Sequence, residues 1–256
     1  MTDAALLAAL PGLAFAFMLV LCRTGAAVML LPGLGEAEPP PMLRIGLALA
    51  LTILLLPAVA PLVPAPPPGW GSAGMVVAEL LAGAVLGWLA RLPVIALSMT
   101  GAVISYMTGL SSVVQTDPAL GGQSAALSRL MGLMAPMLVL ATGLYAAPLW
   151  ALSGSYHVIP PGGVMPAGPV AQMVQQALSE AFSLSIRLAA PFLLAGVLLQ
   201  AALGLLARLA PQLQIFTAVA PGQILGGLLL LAALADPLTS AWLETLRSAW
   251  STLPGL

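Results

Sequence analysis

With 61% hydrophobic residues, 6% charged residues and a mean hydropathy of +1.08 over 256 residues, the chain falls outside the soluble class, in which about a quarter of residues are charged. Its net charge is −1 and every basic residue is Arg, so no polybasic tail is available for nucleic acid or for anionic lipid headgroups. A single cysteine, Cys22, lies in an apolar run and excludes an intrachain disulfide.

Apolar runs of about 20 residues recur from end to end. They predict an all-α, multi-pass membrane protein forming one integral domain, residues 1–256, surrounded by membrane lipid and without a separate catalytic module. The opening Met1-Thr2-Asp3 lacks the basic region of a cleaved signal, so the first span is expected to remain in place.

The first span covers residues 4–31 and contains Arg23. An Arg near mid-span costs about 3 kcal/mol, while each Leu or Phe returns about 0.5, so the span still inserts. Gly12, Ala16, Arg23 and Ala27 share a helical stripe, which puts the guanidinium on a close-packing face, against a neighbouring helix, an aqueous path or an interface. Residues 32–46, with Glu36, Glu38, three successive prolines and Arg44, read as a rigid non-helical loop. Residues 42–63 form the second span, ended by Pro57 and Pro61.

Residues 72–107 are apolar for nearly twice a membrane thickness. Pro93 is expected to kink them, giving a bent or re-entrant arrangement. Glu79, Gly83 and Gly87 share one stripe, so the carboxylate should face a helix, and Arg91, about 120° away, should meet a different partner. The polar stretch 108–131 follows and organises the rest. Backbone of this kind beside membrane spans must be satisfied by protein or by a water-filled cavity, so it is either an exit loop or a pore lining.

Residues 130–152 form a span interrupted by Pro136 and Pro148, and 153–169 read as a turn-rich loop holding the sole histidine, His157. Without a second His, a nearby Cys or an orienting group, His157 supports neither a metal site nor a catalytic pair with Ser153 or Ser155. From Val170 an amphipathic helix runs to Leu209, kinked at Pro191, with Gln172, Gln176, Glu180, Ser183 and Arg187 along one polar stripe. That stripe is a lumen lining or a face in water. A short loop then turns into residues 215–235, where Gly222 and Gly226 form a second close-packing pair. Asp236 and Pro237 read as the start of a last helix, with Leu238, Trp242, Leu246 and Trp250 on an interfacial or partner-bound face. The count is about six crossings. Arg44, Arg129 and Arg208 against Arg247 favour an outside N-terminus.

Four motifs, in order, carry a resemblance. They are R-x8-PG-x-GE with PxxxRIGLALAL (residues 23–51), GLSxxxxxDPxxGxQ with LSRLM (109–131), YxxxPPG (156–162) and APQLQIF (210–216). Together they resemble the FliR family of flagellar biosynthetic proteins, whose members and injectisome counterparts belong to the export gate of type III secretion.

The resemblance implies a FliP-like part over residues 1–163 and a FliQ-like helical hairpin over 164–256. It also implies assembly with FliP and FliQ in the bacterial inner membrane at the flagellar basal body, contacts with FlhA and FlhB, and passage of unfolded export substrates. It implies no cofactor, metal or covalent chemistry. The family's plug loop corresponds to Gly109, Ser111, Ser112, Val113, Val114, Asp117, Pro118, Gly121 and Gly122, and its hairpin motif to Pro211, Gln212 and Phe216. Ser112, Val113 and Val114 replace the phenylalanines common in that plug, and Pro221-Gly222-Gln223 stand where the family often carries a basic residue after the hairpin motif. A small-solute or ion permease would instead show inverted repeats with paired broken helices and clustered mid-membrane charges. An intramembrane hydrolase would need a convergent nucleophile and base.

Overall fold

The computed structural model describes residues 3–36, 39–67, 70–110, 114–117, 122–209 and 215–256, with 3–9, 114–117, 122–125 and 215–218 described as backbone only. Leucine and alanine, strong helix formers, dominate the sequence. The elements are α1 (Asp3–Leu30), α2 (Pro41–Val59) continued by a 3-10 turn (Ala60–Leu62), α3 (Gly71–Thr108), β1 (Val114–Asp117), β2 (Gly122–Ala125), α4 (Ala126–Ala141), α5 (Ala146–Val158), α6 (Ala167–Leu209) and α7 (Ile215–Ser251). Among the described residues five helices are long and apolar enough to cross a membrane, or six crossings if the broken α4–α5 pair counts as one span. The protein is thus an all-α, multi-pass membrane protein, with one short antiparallel hairpin that the sequence reading did not anticipate.

The prolines behave differently from expectation. Pro41 opens α2 after an extended Pro40 (φ −53°, ψ 141°), so the expected loop ends early and Arg44 is helical. A proline in the first turn removes only a donor that had no intrahelical acceptor. Pro57 lies inside α2 and Pro136 inside α4, while Pro93, where a kink is expected, falls within the 38-residue α3. Residues 142–145 break the fourth span instead, where Gly143 adopts φ +74°. Asp236 and Pro237 do not start a helix but lie within α7. Membrane helices tolerate such prolines because neighbouring groups re-satisfy the freed backbone. Two indoles meet carbonyls next to Pro93: Trp250 Nε1 donates to the Ala90 carbonyl at 3.0 Å and Trp242 Nε1 to the Pro93 carbonyl at 2.9 Å.

The chain forms two compact units, Met1–Leu92 with Val139–Ala177 and Ala249–Leu256, and Pro93–Leu138 with Leu178–Ser248. In the first, α1 meets α2 where the buried hydroxyls of Thr24 and Thr52 lie 2.6 Å apart. Val20, Val59 and Tyr156 form a core closed by Leu55, Leu56 and Val63. In the second, Leu238, Trp242 and Leu246 are buried. The apolar face of the chain's last helical stretch, expected to serve an interface or a partner, is therefore covered by the chain itself. The driving force is burial of two or more large side chains, each contributing roughly 1.5–3 kcal/mol.

Candidate functional site

The central stretch forms a hairpin whose strands pair Val114 with Ala125, Gln115 with Ser124, Thr116 with Gln123 and Asp117 with Gly122. The ladder pairs the backbone of a segment flanked by apolar helices, as such a setting requires. Ser111, Ser112, Val113, Pro118 and Gly121 lie outside the described residues; Val114, Asp117 and Gly122 are strand positions. Just past the return strand, the start of α4 is fastened to α3. Ser128 Oγ donates to the Ser98 carbonyl at 2.9 Å, and a Cβ at Gly101 would stand 2.8 Å from the Leu127 carbonyl oxygen, so only glycine admits α4 there.

A second constellation lies in the first unit. Glu79, Gly83 and Gly87 occupy one face of α3, and that face lies on α1: a side chain at Gly83 would run into the Arg23 carbonyl, and a Cβ at Gly87 would stand 2.8 Å from the Ala27 carbonyl. This close approach lets Arg23 reach Glu79 with both arms of its fork, Nε to Oε2 at 2.7 Å and Nη2 to Oε1 at 2.9 Å. Its Nη1 donates to Ser155 Oγ at 3.2 Å and to the Ile159 carbonyl at 3.0 Å, and the Tyr156 ring lies under the guanidinium at 4.2 Å. The Gly162 amide donates to Glu79 Oε1 at 2.7 Å. Arg23 and Glu79 are 1% and 0% exposed, so this is a sealed pair rather than a group facing an aqueous path. Its bidentate geometry and added donors are what a buried pair needs to offset desolvation.

Arg91, on another face of α3, has its own partners: Nη2 meets Glu36 Oε2 at 2.9 Å and Nη1 donates to the Leu30 carbonyl at the end of α1. The charges at Arg23, Glu79, Arg91 and Glu36 are therefore satisfied within the chain. Ser155, Tyr156 and Gly162 were not recognised as partners of the pair. The signal was present in the YxxxPPG run, but Ser153 to Val158 were read as loop, whereas they are the last turns of α5. His157 sits in the final turn and is exposed.

Along α6, Gln172, Gln176, Glu180 and Arg187 are exposed and Ser183 is half-buried. Pro211 and Gln212 lie outside the described residues, and Phe216 is a backbone position near the start of α7. Gly222 and Gly226 do not form the expected close-packing pair, since nothing lies within 4 Å of either Cβ position. They line an open groove of about 430 Å³ with Met107, Phe192, Gly196 and Leu230, and it is Gly227 that packs closely, against Thr108. Among the described residues no three His, Cys, Asp or Glu side chains gather where they could hold a metal ion.

Residues 14–249 match the family described as bacterial export proteins, family 1. The chain is 33% identical over 230 residues to the flagellar biosynthetic protein FliR of Caulobacter vibrioides, covering 90% of this chain and 92% of that protein. It is 32% identical over 238 residues to the flagellar biosynthetic protein FliR of Escherichia coli, covering 89% and 87% respectively. A match of this extent, together with two relatives aligned nearly end to end, means that the chain belongs to the bacterial export proteins, family 1, as a relative of FliR.

Proposed function

We propose that this chain is a structural subunit of the flagellar type III secretion export gate in the bacterial inner membrane. There, with FliP and FliQ, it forms the closed channel at the basal body that passes unfolded export substrates, and FlhA and FlhB meet the assembly from the cytoplasmic side. The single observation that carries this reading is the near end-to-end similarity to two FliR proteins. In this reading residues 1–163 form the FliP-like part and 164–256 the FliQ-like hairpin, and the chain performs no covalent chemistry and needs no cofactor. The stretch 109–123 acts as the plug. What supports a plug there is a polar hairpin, paired along its own backbone, set between apolar helices. With Ser112, Val113 and Val114 in place of bulkier residues, closure depends on backbone placement more than on side-chain volume.

Co-purification from detergent-solubilised membranes tests the assembly, with FliP-like and FliQ-like subunits expected alongside the chain. Recovery of a monomer that takes up a small solute would establish a permease instead. Removing residues 109–122 should raise ion leakage through the intact complex. Unchanged leakage with normal export would reduce the hairpin to a connector.

A further inference from the structure

The second unit shows how the central hairpin leaves α3. An α-helix ends with four carbonyls that have no intrahelical donor, and each must find another. At the end of α3 the Ser105 carbonyl accepts from Thr108 Oγ1 at 3.4 Å, and the Tyr106 carbonyl from the Gly109 amide at 3.4 Å. Both are long and local. The Met107 carbonyl is met at 2.9 Å by Nε2 of Gln223, a residue 116 positions away on α7.

Other features converge on the same point. Gly109 turns the chain out of the helix at φ +77°, and the place of its missing Cβ faces the Gln223 side chain at 3.7 Å and Ile224 at 3.8 Å. A left-handed residue just past the last helical turn is the usual way to end a helix and redirect the chain. One turn along α7, any side chain at Gly227 would run into the methyl of Thr108. Beside this contact the groove at Gly222 and Gly226 stays open, so α7 touches the end of α3 through Gln223 and Gly227 while leaving space at the adjoining turn.

We infer that Gln223 is a positioning residue: its amide ties the end of α3 to α7 and so fixes the direction in which the chain departs toward the central hairpin. The importance of this anchor for gating rests on the plug reading above; the anchor itself does not. A leucine would fill the same space as the glutamine. What it lacks is the N–H, and a glutamate of equal size would set an acceptor against the Met107 carbonyl.

The test uses the complete complex with Cys22→Ala removing the sole native thiol, and a nitroxide attached either at residue 115 in β1 or, as a control, at Val164 in the turn before α6. Gln223→Leu and Gln223→Glu should each raise the mobile fraction of the label at 115 by roughly fivefold, the loss of about one net hydrogen bond. The label at Val164 should be unaffected, and Gln223→Asn, which retains an amide, should lie between. A wild-type spectrum at 115 in both variants would overturn the inference. Equal loosening at 115 and 164 would do so as well, because it would signal general destabilisation. A change confined to 115 without greater ion leakage would uphold the anchor and remove the plug.

Discussion

Arg23 and Arg187 both lie in helices long and apolar enough to cross a membrane, and they meet opposite fates. Arg23 is 1% exposed and directs four hydrogen bonds to Glu79, Ser155 and the Ile159 carbonyl. Arg187 lies on the exposed stripe of α6 with Glu180 and Gln176. A charge sealed among fixed partners disfavours any packing that strands it, because a buried charge without its partner is costly. A charge at the surface of a membrane protein must meet water, headgroups or another subunit, so its importance shows only in the assembly. Substitution at the first kind of site should therefore alter the chain's own stability, and at the second its association.

The largest expected effect comes from breaking the buried pair. Glu79→Ala should cost about 3–5 kcal/mol, the usual penalty for leaving a buried charge without its partner, read as loss of protease-resistant protein in detergent. Arg23→Met combined with Glu79→Leu should recover part of this, since an apolar pair removes the stranded charge. Recovery stays incomplete because the Gly162 amide and the Ile159 carbonyl lose their partners. A double variant no more stable than the single would refute mutual satisfaction as the source of stability.

A smaller effect is expected from Gly83→Leu, which leaves both charges in place but forces α3 away from the Arg23 backbone. Overpacking of this kind costs about 1–3 kcal/mol, and thermal unfolding of the purified chain should record it. Wild-type stability would mean that the helices separate without disturbing the pair. The smallest effect on the chain itself should follow Arg187→Gln, at most about 0.5 kcal/mol for an exposed site. Co-purification of partner subunits should nevertheless fall; unchanged recovery would place the stripe in water or against headgroups.

Much of this was legible from the residues. Apolar run length, with few charges, dictates membrane helices because the bilayer leaves backbone groups no other partner. The spacing of Glu79, Gly83 and Gly87 marks a close-packing face because side chains four apart stack on a helix. The ordered motifs identify the family without any knowledge of packing.

What the stripe cannot carry is the identity of the surface it meets. Arg23 lies 56 residues from Glu79, and Gln223 lies 116 residues from Met107; such pairings follow from which helix faces come together, a long-range choice that local periodicity leaves open. The prolines teach the same lesson. Proline removes a backbone donor wherever it occurs, so the sequence places a helix end at Pro57, an interruption at Pro136 and a helix start at Pro237. Each nonetheless lies inside a continuous helix, a continuity that local preference does not predict because other groups in a membrane protein can re-satisfy the freed carbonyl.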